Sequence, residues 1–373
     1  MNPCHAKRAC VVYAVIWVAA ASPALAQSIT NLGILPGGTV SYGVAVSGDG
    51  TSATGLSGAS AGSFAFRWTA SGGMQNLGAL PGGLGSTGWA ISGDGSVVVG
   101  DSNVPASQRA FRWTESGGMQ NLGVLPGMSV SSARAISQDG AVVAGRSGSL
   151  AFRWTQNAGM QSLGTLPGEN TSSVHGANAD GSVLVGDNDT ALSGHGFRWT
   201  AAMGMQDIGA LGGASFSSAL KVSADGLVIA GFSGSSGHAH AFRWIAAGGM
   251  QDIQPAGSGF IDSVGEALSG DGLTVGGSVS SAAFYSHAFL WTNQMGMVDL
   301  NAYLPTLGVD LSGWQLIKVR GLSQDGMTMV GEGVYQGSSR AFMATIPAPS
   351  IGVIAVFGAA VGASRRRRSA LVA

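Results

Sequence analysis

Acid–base or metal chemistry would fall to the carboxylates and histidines. Seven aspartates recur in the string S-x-D-G or a close variant: Asp49, Asp94, Asp139, Asp180, Asp225, Asp271 and Asp325. Glycosidic cleavage needs two carboxylates ~5–10 Å apart across one bond, and calcium needs about 6–8 oxygens. An Asp-Gly pair ahead of an apolar run is what a tight hairpin requires, so these residues are expected to form turns. His195, His240 and His287 each stand two residues before a recurrent phenylalanine. At a strand spacing of ~4.8 Å, equivalent places on neighbouring copies lie ~13 Å apart, too far for metal–nitrogen bonds of about 2 Å. Arg67, Arg112, Arg153, Arg198 and Arg243 stand between the recurrent Phe and Trp. Spread over many copies, they predict a repeated contact with the neighbouring copy, by ion pair or cation–π, rather than one anion site. Gly55-Leu56-Ser57-Gly58 lacks the spacing of a nucleophile elbow. The expectation is no catalytic residue, no metal site and no cofactor.

The elements that position these residues follow from their period. The turn aspartates are spaced 45, 45, 41, 45, 46 and 54 residues apart, and A-F-R-W-T or a decayed form of it keeps step as far as Thr345. A fixed period in the forties marks one supersecondary unit stacked on copies of itself. In the second copy, T-G-W-A-I-S is a short strand, Gly93-Asp94-Gly95 a turn, and S-V-V-V-G-D-S a strand buried on both faces. Arg109 to Thr114 forms a third strand with Phe111 and Trp113 on one face, and Met119 to Leu122 a fourth. Four antiparallel strands per repeat predict an all-β propeller. The fourth-strand string first occurs at Ile29-Thr30-Asn31-Leu32, before any complete repeat, and is missing after the last. The N-terminal strand is therefore expected to complete the last of seven blades, closing the ring and removing its exposed edges.

Residues 1–26 read as a secretory leader: Lys7 and Arg8, an apolar run over 9–21, and Ala24-Leu25-Ala26 as the cleavage site for a signal peptidase. Both cysteines, Cys4 and Cys10, lie in it, so the exported part would have no disulfide and no thiolate. Residues 27–346 hold 12 basic and 19 acidic residues, a formal charge of −7. That balance speaks against nucleic acid as a partner. Residues 347–373 combine a hinge at Pro347 and Pro349, an apolar run over 351–363, and Arg365, Arg366, Arg367 and Arg368. At ~1.5 Å per residue that run makes a short membrane helix, its arginines staying on the cytoplasmic side.

On a propeller, function is expected where blades differ, in loops at one mouth of the channel. The longest insertion, 301–313, brings Tyr303, Asp310 and, just beyond it, Trp314; the variable loops 187–193 and 279–286 bring Asp187 and Tyr285. An aromatic rim with carboxylates would suit carbohydrate.

The strings His240-Ala241-Phe242-Arg243-Trp244, Gly249-Met250-Gln251-Asp252-Ile253 and Leu80-Pro81-Gly82-Gly83 resemble the HAF repeat of bacterial extracellular proteins, as does the stretch from Leu307 to Trp314. The C-terminal segment is similar to the PEP-CTERM sorting signal, with Pro-Ala-Pro where Pro-Glu-Pro is expected. These resemblances imply export, a C-terminal membrane anchorage, and processing by an exosortase-like enzyme. The expected protein is a monomeric, non-catalytic surface or matrix propeller binding extracellular polysaccharide or another envelope component. The alternative is a polysaccharide lyase or glycoside hydrolase with its active site at the channel mouth.

Overall fold

A computed structural model describes residues 27–59, 62–105, 107–188, 194–235, 237–282 and 284–346. Their strands form seven four-stranded antiparallel sheets, the blades of a propeller. The innermost strands are Val40–Val46, Gly85–Ile91, Ser131–Ile136, Ser173–Ala177, Phe216–Val222, Phe260–Leu268 and Trp314–Leu322. The last blade is split between the chain ends, as the truncated repeat predicts. Its outer strand is Ser28–Asn31, which pairs with Ser338–Thr345 in the register Ser28↔Thr345 to Asn31↔Phe342.

Each blade is built around one phenylalanine. Phe66, Phe111, Phe152, Phe197, Phe242, Phe289 and Phe342 are fully buried. Each lies opposite a second-strand glycine: Gly55, Gly100, Gly145, Gly186, Gly231, Gly277 or Gly331. These glycines answer a close approach. A Cβ on any of them would fall 1.8–2.0 Å from a carbonyl oxygen of the innermost strand. The innermost strand can come so near because it bulges one or two residues further on, and the bulge leaves one residue unpaired.

Neighbouring blades are joined through polar contacts. The N–H before the phenylalanine donates to a serine hydroxyl of the next innermost strand, as in Ala65 to Ser86, Ala110 to Ser131 and Ala241 to Ser263, at 2.8–2.9 Å. The same bond from Ala341 to Ser41, 3.0 Å long, joins the last blade to the first. The repeat arginines make the predicted contact with the next blade, through a different acceptor. Arg67, Arg112, Arg198 and Arg243 each donate from Nε to the carbonyl of Gly95, Gly140, Gly226 and Gly272 in the next blade's Asp-Gly turn.

The aspartates do form those turns. Asp94 Oδ1 accepts from the Ser92 and Ser96 hydroxyls and the Ser96 N–H, at 2.7, 2.8 and 3.0 Å. These bonds, the Ser96 N–H foremost, lower the carboxyl to a pKa of about 2.

Two expectations follow. Gly231→Ala should cost about 1–3 kcal/mol or more, because its Cβ meets the Ser218 carbonyl rather than a movable side chain. Gly212→Ala, with nothing within 4 Å of its Cβ, should stay within about 0.5 kcal/mol of the parent; urea unfolding compares them. A carboxyl depressed in the fold adds stability above its unfolded pKa, and that stability is lost as pH falls from about 4 through about 2. Asp94→Asn should therefore flatten the acid-side decline of the unfolding free energy over that window, by a small amount because the turn is solvent-exposed.

Candidate functional site

The bulges decide what faces the propeller axis. At one equivalent place in every blade the innermost strand slips register by one residue, and the residues left unpaired there are Val44, Trp89, Arg134, His175, Leu220, Glu266 and Arg320; the sixth and seventh blades slip a second time, at Ile261 and Ile317. All seven line one axial cavity of about 220 Å³, together with Lys221. The frame is thus repeated while the layer it aims inward varies, with only arginine, at 134 and 320, occurring twice.

The next position along the strand is Ala45, Ala90, Ala135, Gly176, Ala267 or Gly321 in six blades and Lys221 in the fifth. Small residues keep the channel open there, and the lysine stem occupies part of it. Below, the channel tapers, with cavities of about 120 and 90 Å³ sharing Val46, Ile91, Ala177, Val222, Leu268 and Leu322. At the narrow end the turns bond to one another in a closed circle. Gly93 N–H donates to Gln138 O, Gln138 to Ala179, Ala179 to Ala224, Ala224 to Gly270, Gly270 to Gln324 and Gln324 to Gly48, at 2.8–3.1 Å; Asp49 N–H to Gly93 O completes it. The side chains of Gln138 and Gln324 fill the space over the neighbouring glycines.

Charge is concentrated at the bulge level. Glu266 Oε1 lies 3.7 Å from Arg320 and 4.0 Å from Lys318, while Glu332 Oε1 lies 3.4 Å from Arg320. Charge-assisted hydrogen bonds run ~2.7–2.9 Å, so these ions are near one another without being hydrogen-bonded well. Glu266 Oε2 and Arg320 Nε are buried without a hydrogen-bond partner. Burial pushes Glu266 up and Lys221 down, each toward its neutral form; the Glu266 charge opposes the shift of Lys221, and Arg320 adds to it. The other acidic side chains beside the channel are engaged: Asp101 accepts from Trp89 Nε1, Gln108 and Ser132, and Asp187 from Ser218 and His175. Arg134 lies over the Trp89 ring, 4.2 Å from its centroid.

The loop candidates do not assemble around this space. Leu300–Thr306 is a short helix, with Leu300, Leu304 and Val309 in the largest core cluster and Tyr303 packed against it. Asn301 pins the insertion by two bonds to the backbone of Leu316, at 2.7 and 2.9 Å. Trp314 stacks on Tyr335 and meets Phe342 edge-on. Asp310 is exposed and accepts from its own Ser312, which lowers its carboxyl. The insertion closes the joint between two blades and offers no aromatic rim. Asp187 reaches the channel wall through His175, and Tyr285 lies on the strand Phe284–Thr292, with its side chain outside the described residues. His195, His240 and His287 each contact an aspartate of their own blade, Asp207, Asp252 and Asp299, at 2.7–2.8 Å.

Differences in loop length do not mark the channel layer. The signal available was identity at a fixed offset: five residues before each turn aspartate the chain reads Val, Trp, Arg, His, Leu, Glu, Arg.

No protein-family model and no curated protein matches the chain. Among solved structures it is similar to an oligogalacturonate lyase in complex with manganese, at 12% identity and a TM-score of 0.54, over 86% of this chain and 93% of that one. It is also similar to a putative TolB from Agrobacterium tumefaciens, at 15% identity and a TM-score of 0.47, over 74% and 94% of the two chains. TolB from Acinetobacter baumannii matches at 12% identity and a TM-score of 0.44, over 83% of this chain and 64% of that one. At these identities the likeness to the lyase shows the propeller fold alone. Among the described residues no helix is long and apolar enough to cross a membrane. Segments 1–26 and 347–373, which carry the leader, hinge and arginine expectations, lie outside the described residues.

Trp89→Phe tests how the layer is held. It keeps a ring beneath Arg134 and removes the indole donor from Asp101, which is 4% exposed. The expected cost is about 1–3 kcal/mol, the penalty for a buried acceptor that loses a partner, read by urea unfolding.

Proposed function

We propose that this is an exported, non-catalytic binding propeller that holds an extracellular polysaccharide or another envelope component at its channel. The observation that carries the reading is the bulge layer: seven side chains of six types, apolar, aromatic, cationic and acidic, aimed at one axial cavity by a repeated frame. A purely structural ring has no need of that variety at the position facing its axis. Export rests on the leader-like residues 1–26 and on the resemblance of 347–373 to a sorting signal, with a signal peptidase and an exosortase-like enzyme as processing partners.

The carboxylates of the channel argue against glycosidase chemistry. Glu266 and Glu332 are near one another, but they bracket the Arg320 guanidinium, where a sugar bond and its water would have to lie. A lyase reading draws on Lys221 and Glu266, whose proton affinities are shifted within one cavity, a frequent mark of reactive sites.

The purified full-length protein should co-elute with the producing cell's own extracellular polysaccharide on size exclusion with light scattering, and the polymer mass should stay constant over time. A falling polymer mass would replace the binder with the lyase, and separate elution would remove polysaccharide as the ligand.

A further inference from the structure

The axial cavity is selective in size and in charge. At about 220 Å³ it falls short of the roughly 300–1,000 Å³ of pockets for drug-sized ligands. Below it the space narrows to cavities of about 120 and 90 Å³, the last within the circle of turn bonds. The cavity therefore suits one sugar residue, or the end of a chain, entering from the wide mouth.

Its charge runs against that of the molecule. Residues 27–346 carry a formal −7, yet Arg134, Lys221 and Arg320 face Glu266 as the one carboxylate in the cavity lining. Lys221 is held by no hydrogen bond or ion pair among the described residues, and the other six blades place alanine or glycine there. Arg320 keeps an orphaned Nε and only long contacts to its two glutamates. A buried donor left without a partner, as Arg320 Nε is, is rare in a native fold and has a reason where it persists. Val44, Leu220 and Trp89 supply apolar wall beside these cations.

We propose that this cavity takes the carboxylate of a single acidic sugar residue, with Lys221 and Arg320 as its cationic contacts and the apolar side chains against the C–H faces of the ring. The inference rests on the binding reading above and narrows its ligand to a uronic acid, met either as a chain terminus or as the free sugar acid.

Titration calorimetry on the full-length protein tests it, with sodium glucuronate, glucose, and an oligosaccharide ending in glucuronate as probes. Glucuronate should bind in the millimolar range and weaken as salt is raised, with glucose at least tenfold weaker. Lys221→Ala restores the residue found in four sister blades, so it should fold like the parent while weakening glucuronate at least tenfold. Arg320→Gln should weaken glucuronate comparably, and circular dichroism separates that loss from unfolding. Equal binding of glucose and glucuronate, no binding of either, or an unchanged Lys221→Ala variant would overturn the assignment. Tight binding of the oligosaccharide identifies a chain end as the source, and binding of the free acid alone identifies a small sugar acid. If the polysaccharide co-elutes while glucuronate is inert, the binding function stands and this site assignment falls; if glucuronate binds while the polymer elutes apart, the reverse holds.

Discussion

The structure depends on one close approach, repeated in every blade. The second-strand glycine lies so near a carbonyl of the innermost strand that a single added carbon would overlap it. That approach places the repeat phenylalanine over the glycine, where it is sealed from water. The one-residue slip of the innermost strand just beyond it makes the approach possible and leaves one residue unpaired. Core and channel therefore have a common cause. The bulge that lets the blade pack is the same one that turns an unpaired side chain toward the axis.

A frame made this way can tolerate an irregular centre. The serine bonds between blades, the arginine bonds to the next turn's carbonyl and the circle of turn bonds all use backbone groups or residues common to most copies. None of them consults the residue at the bulge. Val44 and Leu220 can therefore be exchanged for Arg134 or Glu266 between blades without changing how the blades meet. Stability is carried by the repeat, and chemical identity is left to the bulged position. This division allows a polar, partly unsatisfied cluster to persist at the centre of the protein.

Much of the fold was legible in the sequence because it is written in what repeats: the Asp-Gly turns, the paired Phe and Trp, and the outer strand displaced to the N-terminus. The site was not, for physical reasons that particular residues show. Trp89 stands out as a tryptophan beyond the repeat register, but a bulge breaks the two-residue alternation by which inward-facing positions are recognised, so its direction could not be read. Trp314 stands out in the same way and turns into the blade, where Tyr335 and Phe342 receive it. The insertion after Asn301 varies in length because two blades needed their joint filled with Leu300, Leu304 and Val309. The arginine contacts were foreseen with charged or aromatic partners because pairwise rules favour side-chain acceptors, whereas the nearest acceptor was the carbonyl of the adjoining turn.

The two ends of the channel differ in a way that bears on what can enter. The seven turn aspartates surround the narrow end, where hydrogen bonds in the turns hold the Asp49 and Asp139 carboxyls low against the small opposing effect of Asp94 and Asp180. Inside, at the bulge level, the balance reverses to three cations facing Glu266 in the lining. An anion approaching the narrow end meets like charge and a closed circle of backbone bonds. One approaching the wide mouth meets the cavity of about 220 Å³ and opposite charge. Low-dielectric walls focus such a gradient along the channel. The direction of entry is thus set by the turns, which the fold requires for its own closure, and the selectivity by residues that the fold leaves free to differ.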